Sequence, residues 1–284
     1  MIGDMKQETG ENSEAYQAKR DINITHQGMD YNNVKQLCLD LIHDNFPKLQ
    51  EEAMKQVNEN VMALAGELKN EIAKKQAVIS PEKLAQPDVQ AALNEAVQGA
   101  AKKGKKTDLN LLANLVASRI DRGNSDLLDI TIEEAIRLTP KLTREHINFL
   151  SVKHFVSSMT IQVPNVAFIQ LEQFAAPVLA AFGSNCALSV PNIQYLAGVG
   201  VLDFNPMFGH DAYDVQFKGY PSLAENTQEF KEKVKVQAPS LNKLLEIYEQ
   251  EKFSSAILNS FGQVIALTNL GRIFGNIDLK LWIN

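Results

Sequence analysis

Cysteine is scarce in this chain: Cys38 and Cys186 are its two, and they lie far apart. A disulfide framework needs a dense, even set of cysteines in a small secreted chain, so two reduced thiols are expected. Positive charge is also short. Lys and Arg number 28 against 34 Asp and Glu, for a net charge of -6. That balance argues against non-specific nucleic-acid binding through a basic field over the whole surface. Long apolar runs are missing. The nearest, around 168–188, is interrupted by Gln170, Glu172, Gln173, Pro177, Ser184 and Asn185. A membrane span needs about 20 predominantly apolar residues, so a buried helix is expected there and no membrane span. The opening residues Met1–Glu8 lack the apolar core of a signal peptide; a cytoplasmic location follows as the expectation.

Signature loops are missing too. There is no Gly-x-Gly-x-x-Gly and no Gly-Lys-Ser/Thr, so a nucleotide-phosphate cradle has no support. Ser184 and Ser189 lack the flanking glycines of a hydrolase nucleophile. The five histidines, His26, His43, His146, His154 and His210, show none of the zinc spacings. No metal, no cofactor and no catalytic residue is assigned on this basis.

What is present is the pattern of a folded, mainly α protein. Apolar residues make up 45%, which excludes wholesale disorder. Residues 1–31 form an acidic tail, with Lys6, Lys19 and Arg20 against Asp4, Glu8, Glu11, Glu14, Asp21 and Asp30. Within it, Ala15–Ala18 and Asp21–Thr25 alternate as short strands do, with Ile22 and Ile24 on one side.

From Tyr31 the period becomes helical. Val34, Leu37, Cys38, Leu41 and Ile42 mark a first helix; Pro47 ends it or opens the next, which carries Ala53 to Ile72 and is broken at Ser80-Pro81. Helices follow from Pro87, from a Thr107 or Asp108 cap, from a Thr131 capping box, from Thr143, over 165–182 and over 191–196. Lys102–Lys106 reads as a solvated turn. The expected domains are the tail 1–31, an α-helical bundle 32–196, and a small α+β, winged-helix-like part 197–284. In that last part, strands are expected at 198–204, 263–267 and 277–283, helices at 222–236 and 240–260, Thr268 as a cap, and a long loop at 205–221. The loop holds the best catalytic-looking group, Asp203, His210, Asp211 and Tyr213. Loops rich in Asp and Gly are more often plain turns.

Two resemblances add to this. The segment Gly10-Glu11-Asn12-Ser13-Glu14-Ala15-Tyr16-Gln17-Ala18-Lys19-Arg20-Asp21-Ile22-Asn23-Ile24 resembles the N-terminal module of an uncharacterised bacterial family, roughly G-D-N-S-x-x-x-Q-A-G-G-D-I-N-I. Gly28-Met29-Asp30-Tyr31 is similar to the step that follows in that family. Asn124 to Thr143, with Ile136, Leu138, Pro140, Leu142 and Thr143, is similar to its A-I-x-x-x-P-K-L-T stretch. Lys19-Arg20 departs from the glycines usual there. Members often lie near antiphage-defence genes, so the resemblance implies an interaction protein, a sensor or effector of such defence. Separately, Tyr195–Leu202 and Ala266–Arg272 resemble the ends of a winged helix-turn-helix, although the gap between them is far longer than such domains have.

The tail has its own physics. A lone hairpin is marginal, whereas alternating Asn, Gln, Ser and Ile suit stacking between identical copies. Tyr16, Gln17, Ile22, Asn23 and Ile24 are therefore the expected self-association residues, with a second copy of the chain as partner and a defence protein or phage component beside it. Two alternatives stand: a nucleic-acid accessory protein using the winged-like part, and an enzyme with its site in the 203–220 loop.

Overall fold

The computed structural model describes residues 31–75, 85–121, 123–163, 165–207, 209–275 and 277–283, with 31–49 and 75 by backbone alone. The self-association residues of the tail, with His26, lie outside the described residues, as does the Ser80-Pro81 break. The chain divides into two compact units, Met1–Ala53 and Met54–Asn284; the packing below belongs to the second. It is mainly helical. The helices are α1 (Tyr31–Lys75), α2 (Pro87–Lys103), α3 (Leu109–Ile120), α4 (Asp126–Leu138), α5 (Arg144–Ser158) and α6 (Phe168–Phe182). They continue with α7 (Val190–Val199), α8 (Ala212–Gly219), α9 (Thr227–Gln237), α10 (Pro239–Gln250) and α11 (Ser260–Phe274). Strands β1 (Leu202–Phe204) and β2 (Ala256–Leu258) pair antiparallel, Asp203 opposite Ile257.

Local chemistry sets most of these starts. Asp108, Ser125, Asn226 and Asn259 each accept a backbone N–H two or three residues into the helix they cap. Thr143 does so reciprocally with His146, whose Nδ1 accepts from the Thr143 N–H at 3.2 Å. Helix α5 is buried continuously from His146 to Val156 and is packed by α6, α8, α10 and α11. Helix α11 also rests on α3 and α4, so one core runs through both expected body domains.

Several expectations are corrected. Helix α1 does not end at Pro47; the proline removes one intrahelical bond without stopping the helix. Thr131 is interior to α4, because Ser125 caps it earlier, and its hydroxyl bonds the Leu127 carbonyl at 2.7 Å. Helix α6 begins three residues after Asn165, with the Ala167 N–H held by Gln170 Oε1. The 205–221 region contains α8, started by Asp211. The 240–260 helix stops at Gln250 and β2 follows.

Residues 263–267 are helical. Val264 to Leu267 are all buried, so the run is apolar on every side and carries no strand or helix period. Thr268 consequently sits inside α11 and caps nothing. Gly262 permits the close approach that sets α11 against the chain before β1: a Cβ there would lie 2.0 Å from the Val201 carbonyl oxygen. The alternating 277–283 stretch is no strand either. Asp278 caps a 3₁₀ turn at Leu279–Leu281, and no partner strand lies beside it among the described residues.

One polar hub ties α2, α3 and α4 together. Arg119, 1% exposed, sends Nη1 to Asp129 at 3.0 Å and Nε and Nη2 to Glu133 at 2.9 and 2.8 Å. Its Nη2 also bonds Asp88. Asn124 Nδ2 holds the other Asp129 oxygen at 2.8 Å. Removing the arginine would leave three carboxylates facing one another, half-shielded from water. Arg119→Met should therefore cost about 3 kcal/mol, and Arg119→Lys should recover only part, because an ammonium lacks the planar fork. Urea unfolding midpoints check this; a midpoint unchanged in Arg119→Met would remove the hub from the account.

Candidate functional site

The loop residues singled out from sequence are placed apart. Asp203 is exposed on β1. Asp211 is a cap, accepting the N–H groups of Tyr213 and Asp214 at 2.8 and 3.0 Å. Tyr213 is buried; its hydroxyl donates to Asn242 Oδ1 at 2.9 Å, and Lys231 lies 4.6 Å from its ring centre. Burial pushes its phenol up to about 12. Among the four, His210 alone reaches a buried polar chain: its Nε2 meets the Tyr248 hydroxyl at 2.7 Å, and that hydroxyl also bonds Lys153 Nζ.

Lys153 is 4% exposed and has no carboxylate bonded to it among the described residues. Desolvation brings its amine down to about 8, offset in part by the Tyr248 ring 4.8 Å away. The next residue, His154, stands edge-on to Trp282, with Nε2 unbonded. Burial, and then the Lys153 charge, take it down to about 4. Burial likewise raises Tyr248 and lowers His210. His154 and Tyr248 are therefore neutral at pH 7, while Lys153 still carries its proton there. Cys186 is buried as well, its thiol raised by desolvation to about 11, so it is a poor nucleophile. His146 faces Tyr195 at 5.5 Å, well away from His154. Among the described residues no three His, Cys, Asp or Glu side chains are grouped to hold a metal.

The larger feature is a hollow of about 690 Å³ bounded by α1, α3, α11, Gly275, Ile277 and Leu279. Helix periodicity builds its walls. Glu67 and Glu71 are one turn apart on α1, and Asn110 and Asn114 one turn apart on α3. Asn110 Nδ2 donates to Glu67 Oε2 at 2.8 Å and Glu71 Oε1 at 3.2 Å; Asn114 Nδ2 donates to Glu71 Oε2 at 3.1 Å. Glu71 is 4% exposed, and Lys74 Nζ approaches it to 2.7 Å from the rim.

The third wall is α11, where Thr268, Gly271, Arg272 and Gly275 share a face. Arg272 is occupied: it bonds both Asp108 oxygens at 2.7 and 3.0 Å, Asn110 Oδ1 at 3.0 Å and Asn269 Oδ1 at 3.0 Å. Thr268 is not. It is 5% exposed, and its hydroxyl has no hydrogen-bond partner among the described residues. Leu267, Ile277 and Leu279 add an apolar strip.

Sequence reasoning passed over these residues. The signal available was the doubled i, i+4 spacing of Glu67 with Glu71 and Asn110 with Asn114, polar pairs on helices whose other faces are core.

The fold and the hollow define a mainly helical protein with a polar cavity. A family model matches residues 28–225 and 218–283, and the chain belongs to that uncharacterised family. No curated protein and no solved structure matches it. No single helix among the described residues is long and apolar enough to cross a membrane.

The buried pair Lys153 and His154 predicts how stability follows pH. The unfolded chain holds the Lys153 proton up to about 10.5 and the folded one only to about 8, so stability should rise with pH across that window. The same sign applies to His154 between about 4 and 6.5, where falling pH destabilises the fold. Lys153→Met should abolish the alkaline rise and stabilise the protein at pH 7 by about 1–3 kcal/mol. Thermal melts from pH 5 to 10.5 measure both; a variant that keeps the alkaline rise would assign it elsewhere.

Proposed function

We propose that this chain is a non-enzymatic, self-associating interaction protein of the bacterial cytoplasm, a sensor or effector component of antiphage defence that reads a small ligand in the hollow. The hollow carries the reading. Its volume falls within the about 300–1,000 Å³ of small-molecule sites, and Glu67, Glu71, Asn110 and Asn114 line it with polar side chains. The N-terminal resemblance supports the defence role. The partners would be further copies of the chain and a defence protein or phage component.

The alternatives gain less. The nucleic-acid reading rests on Ala266–Arg272 as a wing edge, yet those residues are helical and Arg272 is bonded on three sides. The enzyme reading rests on the 203–220 loop, whose Asp211 and Tyr213 are taken up in capping and packing.

Self-association is tested on the full chain. Ile22→Asp with Ile24→Asp would bring like charges from every copy together in the shared seam, with Tyr16, Gln17 and Asn23 beside it. Light scattering should report an oligomer for the wild type and a smaller species for the variant, with unchanged helical circular dichroism. A monomeric wild type, or an unchanged mass in the variant, would remove the self-association half of the proposal.

A further inference from the structure

We infer that His210 is an acid-operated latch: while neutral, its ring docks on the Tyr248 hydroxyl and ties the start of α8 to α10 and α5, and once protonated it undocks. The device is built around one buried oxygen. Tyr248 is fully buried on α10. Its ring stacks on Phe253 at 5.4 Å, and Phe253 stacks on Phe149 of α5 at 4.2 Å. So packed, the ring holds its hydroxyl in one place. Lys153 of α5 bonds it from one side, and His210 Nε2 meets it at 2.7 Å from the other.

Donor and acceptor arithmetic fixes the direction of both bonds. The Lys153 ammonium is only a donor, so it takes a lone pair of the Tyr248 oxygen. The single hydroxyl proton is then left for His210. Nε2 accepts it, which requires a neutral imidazole whose own proton is on Nδ1. A charged imidazole carries N–H on both nitrogens. Its Nε2–H would point against the phenol proton, which would lose its acceptor inside the core. A second cation would also join Lys153 on the same oxygen. That arrangement is costly in a buried setting, whereas a half-buried ring such as His210 can turn out to solvent.

The charges around the ring agree. Burial and then the Lys153 charge lower its affinity for a proton, Asp211 beside it raises it, and Lys218 of α8 lowers it again. From α10, Tyr248 keeps its proton because burial raises its phenol, and Glu249 accepts the Ala212 N–H. Asp211 is engaged in capping α8 through the Tyr213 and Asp214 N–H groups. An undocked ring holds its proton up to about 6.5, while the docked ring gives it up at lower pH. Acid therefore drives undocking. Ala212 with Glu249 and Tyr213 with Asn242 still join α8 to α10, so the change is confined to the first turn of α8.

Hydrogen–deuterium exchange of the full chain at pH 5 and pH 7.5, corrected for intrinsic rates, tests this. Residues 210–216 should lose protection about tenfold at pH 5, with 147–156 unchanged. His210→Gln, whose amide oxygen can accept from Tyr248 but never becomes charged, should keep its protection at both pH values. His210→Ala should lack it at both. A proton NMR titration gives a second readout: the His210 ring resonance, identified by its loss in His210→Ala, should show a midpoint below 6.5. Equal protection of 210–216 at the two pH values would overturn the latch, as would a pH response that survives in His210→Gln. Loss of protection shared by 147–156 would make the change global and overturn it too, and so would a His210 midpoint at or above 6.5.

Discussion

Helix α5 has no outer face, and the packing of the second unit follows from that. Eleven consecutive residues, His146 to Val156, are buried, yet Asn148, Ser151, Lys153 and His154 are among them. Each polar group removed from water needs a partner brought from elsewhere in the chain. Asn148 reaches the Asn185 carbonyl, Ser151 accepts from Asn269, and Lys153 meets Tyr248. Those partners lie on or beside α6, α11 and α10. The register of the surrounding helices is therefore set by polar contacts as well as by apolar fit.

Polar burial takes three forms around this core, and they do different things. At Arg119 the donors and acceptors are matched, and the result is a clamp across three helices that leaves little for a ligand to exchange. In the hollow the matching is incomplete. The Asn110 amide is divided between Glu67 and Glu71, while the Thr268 hydroxyl, buried, has no partner among the described residues. The Lys153–Tyr248–His210 chain is a third arrangement, a buried amine without a carboxylate, whose effect falls on stability.

Local signals in the chain were good guides where local physics decides. Caps at Asp108 and Thr143, Pro87 in a first turn and the solvated lysines at 102–106 depend on residues within a few positions, and the helices follow them. They failed where burial erased the period. Val264–Leu267 is apolar throughout because α11 is enclosed, and Ile277–Ile283 alternates without a neighbour to pair with. Thr131 showed capping-box spacing, but Ser125 had already started the helix. The hollow was legible only as two doubled polar spacings, because Glu67, Asn110 and Thr268 come from three distant stretches.

By itself, then, the sequence determined a mainly helical body, its principal caps and turns, and an acidic balance poorly suited to nucleic acid. All of these follow from composition or from interactions spanning one or two turns. Which polar residues are buried, that Arg272 is bonded while Thr268 is not, and that two carboxylates of α1 line a space closed by α3 and α11 were decided only in the tertiary structure. The reason is physical: whether a hydrogen-bonding group is satisfied depends on atoms dozens or hundreds of residues away, and no local pattern encodes their arrival.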